Sequence, residues 1–184
     1  MRVYQLFAKV LDYPTSETSS QVQALVSEIP AECPEAAELL ARFYSACGGM
    51  TAGELQELYT STFDMRPDCT TNLGHHLFGD DVRRNLFMAQ LKERMEARRI
   101  TIGIELPDHL SLVLRLLAAQ DSADERQTLI ADCLVPCITR MLQTFDPSGS
   151  DNPYAQALRA LLLLLKKDAE DEIAAVGAAQ HSAP

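Results

Sequence analysis

The chain has 184 residues, a length that suits one domain with a single sizeable core. Lys and Arg total 16 against 26 Asp and Glu, a formal charge of −10 that repels nucleic acid and anionic lipid and suits a basic partner. Hydrophobic residues make up 47% of the sequence with no Trp and 6% aromatics, so the core must be built from Leu, Ala, Val and Ile.

Val3, Leu6, Phe7, Val10 and Leu11 recur at helical spacing up to Pro14, which disfavours helix at the residue before it, so a first helix is predicted over about Met1–Leu11. Val22, Leu25, Val26 and Ile29 repeat the spacing before Pro30, and Ala36, Leu39, Leu40, Phe43 and Tyr44 do so before Gly48-Gly49. Thr51-x-x-Glu54 reads as a capping box for a fourth helix, with Leu55, Leu58 and Tyr59 as its apolar stripe and an end near Phe63. Between Asp64 and Gly79 the periodicity lapses at Pro67, Asn72 and Gly74, and an irregular stretch is expected.

A long helix is predicted over about Asp80–Arg98, with Val82, Leu86, Leu91 and Met95 inward, acids at its start and Arg98-Arg99 at its end. Pro107 fits the first turn of the next helix, which carries Leu110, Val113, Leu114 and Leu117. Ser122-x-x-Glu125 caps another, with Leu129, Ile130, Cys133 and Leu134, and Pro136 kinks or divides it. Asp151-Asn152-Pro153 starts a last helix with Leu158, Leu161, Leu162 and Leu165 as its buried stripe. After Asp168 the chain turns acidic and Ala-rich, so a helical domain over 1–168 and a disordered tail over 169–184 are expected. No strand or repeat is apparent, and the signals describe an all-α single compact bundle of about seven to nine helices.

The cysteines Cys33, Cys47, Cys69, Cys133 and Cys137 are odd in number and scattered, and the N-terminus lacks a secretory pattern, which suits a reduced, cytoplasmic setting. The apolar run Ala160–Leu165 stops at Lys166-Lys167, far short of the roughly 20 residues a membrane span needs. His75-His76 with Gly79-Asp80-Asp81 holds groups that ligate metals or carry protons, yet adjacent residues on regular structure point apart and there is no His-x3-His pair, so a polar loop whose histidine hydrogen-bonds backbone is the better reading. Cys133-x3-Cys137 places two thiols on one helix face, among Leu134, Ile138 and Met141, as core cysteines would be. There is no Gly-x-Ser-x-Gly, phosphate loop or His-Glu-x-x-His motif. Asp64, Asp80, Glu105 and Asp108 lie in or beside the irregular stretch and the Pro107 turn, where they are either solvated caps or an acidic rim for arginines of a bound peptide.

Three stretches carry a family resemblance. Glu57–Asp64, Asn72–Asp80 and above all Glu105-Leu106-Pro107-Asp108-His109-Leu110 resemble, in order and spacing, the NarJ-type chaperones, also called the nitrate reductase delta subunit, within the TorD-like redox-enzyme maturation proteins. Leu11–Pro14 and Asn152–Ala155 agree as well, and the likeness spans about the first 165 residues. The chain departs from the common pattern at Asn85, where Gly is usual, at Ser111, where Pro is usual, and at Arg115, where Glu often stands. The resemblance implies an all-α protein that is no enzyme and needs no cofactor of its own. It would bind the N-terminal leader of an apo molybdoenzyme catalytic subunit until its molybdenum cofactor and iron–sulfur cluster are inserted, in contact with molybdenum-cofactor biosynthesis proteins. It would delay membrane attachment or export of a nitrate reductase-like oxidoreductase.

Such a leader is basic and amphipathic, and an acidic Leu-rich bundle suits it. Expected site residues are Tyr59 and Phe63 as apolar walls, Asp64, Asp80 and Asp108 as charge partners, His76 and Arg84 as polar anchors, and Glu105, Leu106, Pro107, Asp108 and His109 as a rim, with His75 and Gly79 in the same segment. The competing readings are a small metal-dependent hydrolase using His75, His76 and nearby acids, and a structural subunit that never leaves its complex.

Overall fold

The computed structural model describes residues 2–145 and 152–181. Its α-helices are α1 (Arg2–Val10), α2 (Thr18–Ser27), α3 (Pro34–Cys47), α4 (Ala52–Tyr59), α5 (Leu73–Phe78), α6 (Arg83–Ala97), α7 (Leu110–Ala118), α8 (Ala123–Thr128), α9 (Val135–Gln143) and α10 (Pro153–His181). A π segment, Thr60–Asp64, prolongs α4, and another, Leu129–Leu134, fuses α8 to α9, so the ten helices form nine continuous rods. No strand occurs among the described residues, and the fold is a compact all-α bundle, as the periodicity predicts.

Local chemistry sets most of the starts. The Thr51 hydroxyl accepts from the Glu54 amide at 3.3 Å while the Glu54 carboxylate accepts from the Thr51 amide at 2.7 Å, closing the predicted capping box. Ser122 accepts from the Glu125 amide, and Asn152 Oδ1 accepts from the Tyr154 amide at 3.0 Å. Pro136 sits where the second π segment hands over to α9, at the predicted break. Tertiary packing then sorts the rods. α10 lies along α3, α1 lies on α7 and α2, and α9 closes against α10. Leu158, Leu161 and Leu165 are buried in this core, as are Cys133 and Cys137, both free thiols.

Four expectations are corrected. α6 starts at Arg83, and Val82 and Leu86 are 70% and 64% exposed, although Leu91 and Met95 are buried as expected. The inward stripe is instead Arg84, Phe87, Met88, Leu91, Met95 and Arg98, with arginine stems standing where aliphatic residues would be expected. Pro107 lies in a turn before α7, because the buried His109 supplies the cap and Leu110 is the first helical residue. The stretch between Asp64 and Gly79 is not wholly irregular: Pro67–Cys69 forms a 3₁₀ turn and Leu73–Phe78 forms α5. Lastly, α10 continues past Asp168 to His181. Tyr4 donates to Asp168 at 2.7 Å and Arg126 pairs with Glu172, so contacts from α1 and α8 hold the acidic stretch in helix.

Among the described residues no helix is long and apolar enough to cross a membrane.

Candidate functional site

The two most specific sequence segments, far apart in the chain, meet as one structure. The Leu73 amide donates to the Asp108 carbonyl and the Leu110 amide to the Thr71 carbonyl, each at 2.8 Å, which stitches the start of α5 to the start of α7. The Asp108 carboxylate, fully buried, then reaches across the stitch. Its Oδ2 accepts from the Gly74 amide at 3.2 Å and from Arg84 Nε at 3.0 Å. A side chain at position 74 would have no room: its Cβ would lie 2.6 Å from Asp108 Oδ2 and 3.0 Å from Arg84 Cγ. Gly74 is therefore the residue that admits the Asp108 carboxylate and the Arg84 stem to the same point of the backbone.

Burying an ion pair costs desolvation on both sides, which only good geometry and added hydrogen bonds repay. Asp108 gains two donors at Oδ2, but its Oδ1 is buried with no hydrogen-bond partner among the described residues. Arg84 keeps one face to solvent, its side chain being 21% exposed. The pair thus fixes geometry at some expense in stability. Gly79, at φ +59° and ψ −131°, ends α5 in a conformation that side-chain-bearing residues avoid, and Asp81 Oδ1 accepts from the Arg83 amide at 2.8 Å to open α6.

His109 caps α7 from inside. Its Nδ1 accepts from the Ser111 amide at 3.3 Å and lies 2.8 Å from the Ser111 hydroxyl, while its Nε2 stands 3.4 Å from the Tyr59 hydroxyl. Burial lowers its pKa below the ordinary histidine value, against an opposing pull from Glu105, Asp12 and Asp108, and the ring is neutral at pH 7. Ser111, the departure from the family's proline, is what supplies the amide hydrogen that this cap accepts. The departure at Arg115 is also used, since Arg115 pairs with Asp12.

The expected site residues separate into three groups. Tyr59 and Phe63, expected as apolar walls, are buried: their rings are 5.0 Å apart and both pack edge-on to Tyr154, at 5.8 and 4.9 Å. Burial, with the negative charges of Asp64 and Asp12, raises the Tyr59 pKa far above its usual range, so its hydroxyl stays neutral. Asp108, His109, Gly79 and Arg84 belong to the junction just described, and Asp108 is an internal anchor out of reach of a surface ligand. Asp64 and Asp80 are exposed and Glu105 half-exposed, none with a side-chain hydrogen bond or ion pair to another described residue, so these three expected site acids face solvent. Leu106 is 46% exposed beside the half-buried Pro107.

His75 and His76 lie on the other side of α5. His76 is buried, its Nε2–H donates to the Thr70 carbonyl at 2.7 Å, and its backbone carbonyl accepts from Arg140. Burial lowers its pKa, helped by His75 and Arg140 and opposed by the bond to Thr70. Among the described residues no three His, Cys, Asp or Glu side chains converge as metal ligands. The sequence reading missed Gly74, whose role shows only in the approach of two distant side chains. It also missed Ile104, fully exposed in the loop before Glu105.

The family whose model matches this helical chain is one of molybdoenzyme assembly chaperones, a class of chaperones and not of catalysts. The chain belongs to the nitrate reductase delta subunit family: the match to the family described as Nitrate reductase delta subunit spans residues 27–146, which is 120 of the 184. Both stitched segments fall inside that stretch. Membership implies association with a nitrate reductase-type molybdoenzyme subunit. No curated protein matches the chain.

Proposed function

We propose that this protein binds the basic, amphipathic N-terminal leader of an apo molybdoenzyme catalytic subunit in the cytoplasm, holds the subunit while its molybdenum cofactor is inserted, and releases it for membrane attachment or export. The observation that carries the reading is an inversion of burial at one corner. Arg84 and Asp108 turn inward, while Val82, Leu86, Ile104 and Leu106, on the two segments that this pair joins, are left 46–100% exposed. Exposed large apolar residues on segments joined by a buried ion pair are what a partner's apolar face covers. Asp80 and Glu105 on the same segments supply negative charge for leader arginines, and the −10 net charge adds steering. In this reading Leu106 contacts the leader directly, Pro107 stiffens the rim, and Tyr59, Phe63, Gly79, Arg84, Asp108 and His109 hold the corner in shape.

Calorimetric titration with a synthetic leader of the catalytic subunit tests this. Affinity is expected to fall as salt rises and to keep a salt-resistant part. Asp80→Asn with Glu105→Gln flattens the salt dependence, whereas Leu86→Ala with Leu106→Ala lowers affinity about tenfold or more at every salt concentration. Undiminished affinity in both double variants would move the leader off this corner.

A further inference from the structure

A second surface of the same molecule carries chemistry that peptide binding does not use. Where α5 and α9 meet, Arg66, Asp68, His75, His76, Arg140 and Thr144 are among the residues lining an open pocket of about 500 Å³. Its lining inverts the charge of the chain: two guanidiniums and two imidazoles face one carboxylate, in a protein of net charge −10. Among the described residues no carboxylate lies within ion-pairing distance of Arg66 or Arg140.

Both arginines are held in place by neutral groups. Arg66 donates to the Thr144 carbonyl at 2.8 Å and lies over the Phe145 ring, 5.7 Å from its centroid. Arg140 donates to the His76 carbonyl, near the C-terminal end of α5. Each anchor occupies one of five N–H donors, so most of each planar fork is left without a partner among the described residues. A pre-oriented guanidinium pair with no ion-pair partner among the described residues is an oxyanion receptor, because bidentate N–H···O⁻ bonds match phosphate geometry and little side-chain freedom is lost on binding. We propose that this pocket binds a phosphate group, with Arg66 and Arg140 as the two forks, His75 and His76 beside them, and Asp68 as the residue that limits affinity. Its volume exceeds that of a bare anion and lies in the range of pockets that take small organic ligands, so a phosphate ester fits as well as the free ion. The inference stands apart from leader binding, since none of Val82, Leu86, Ile104 or Leu106 lines this pocket.

The test is titration of the full chain with inorganic phosphate and, separately, with a nucleoside monophosphate, followed by calorimetry and by NMR of the four histidine rings at fixed ionic strength set with chloride. The His75 and His76 signals shift with saturation while His109 stays put. Arg66→Gln and Arg140→Gln each weaken binding about tenfold or more, as loss of a charge-assisted bond implies. Asp68→Asn, which removes no stabilising contact to either arginine, tightens it severalfold. Tighter binding of the monophosphate than of inorganic phosphate assigns the site to an ester, and equal binding assigns it to the free anion. Absence of saturable shifts at His75 and His76 in the wild-type protein, or unchanged affinity in the Asp68→Asn variant together with both arginine variants, overturns the proposal.

Discussion

Along the contact of α10 with α3, Tyr154, Leu158, Leu161 and Leu165 are fully buried and Phe43 packs ring to ring with Tyr154 at 5.4 Å. At the corner where α5, α6 and the 104–110 loop meet, the buried groups are a carboxylate and the inner face of an arginine, and the exposed groups are Val82, Leu86, Ile104 and Leu106. The first region follows the ordinary rule and stores stability. The second breaks it in both directions, using polar burial to fix a loop while apolar side chains remain in water. Sequence consistent at every level marks scaffold, and local conflict marks a site.

That contrast can be broken by mutation. The largest effect is expected for Tyr154→Ala, which empties an aromatic cluster and costs about 3–5 kcal/mol in chemical denaturation, whereas Tyr154→Phe changes stability by less than about 1 kcal/mol because the Tyr154 hydroxyl is buried without a hydrogen-bond partner among the described residues. Asp108→Ala comes next, at about 2–4 kcal/mol, since it strands Arg84 and the Gly74 amide. Combining it with Arg84→Ala should cost less than the sum of the two single variants. A fully additive double variant would mean that the ion pair does not act as a unit.

A smaller effect is expected from pH. His76 and His109 both have pKa values lowered by burial, so between those values and the unfolded value near 6.5 the unfolded chain binds more protons. Their contribution is therefore complete above about pH 6.5 and is lost as pH falls through the lowered folded values. Asp168 runs the other way, because burial raises its pKa and its contribution fades as pH rises. Melting temperature should drop as pH falls from 7 toward 5, by about 2–4 °C per kcal/mol lost, and His109→Gln should flatten the slope. The smallest effect on stability is expected at the exposed corner: Leu86→Ala should stay within about 0.5 kcal/mol of wild type, and a larger loss would show that Leu86 is packed after all.

The helical bundle was legible because its signals are local. Capping at Thr51 and Ser122, the Pro136 break and the Asn152-Pro153 start each depend on residues within one turn of each other. The family's motif segments were legible for the same reason, and residues 27–146 match that family. What the sequence concealed was long-range. Gly74 reads as a helix breaker until Asp108, 34 positions away, is seen against its amide, and Asp108 reads as a surface acid until Arg84 is seen beside it. The stripe of α6 was misread because Val82 and Leu86 are apolar, whereas the face that packs carries Arg84 and Arg98. Periodicity counts hydrophobic residues and cannot register arginine stems used as core. The continuation of α10 was hidden likewise, since Tyr4 and Arg126 hold it from other helices.

The most direct test of the account is amide hydrogen exchange on the full chain with and without the leader peptide of the catalytic subunit. New protection is expected over about 78–90 and 104–108, with α3 and the first half of α10 unchanged because their core contacts are already formed. Protection confined to the α3 and α10 face, with the α5–α6 corner exchanging as before, would contradict it.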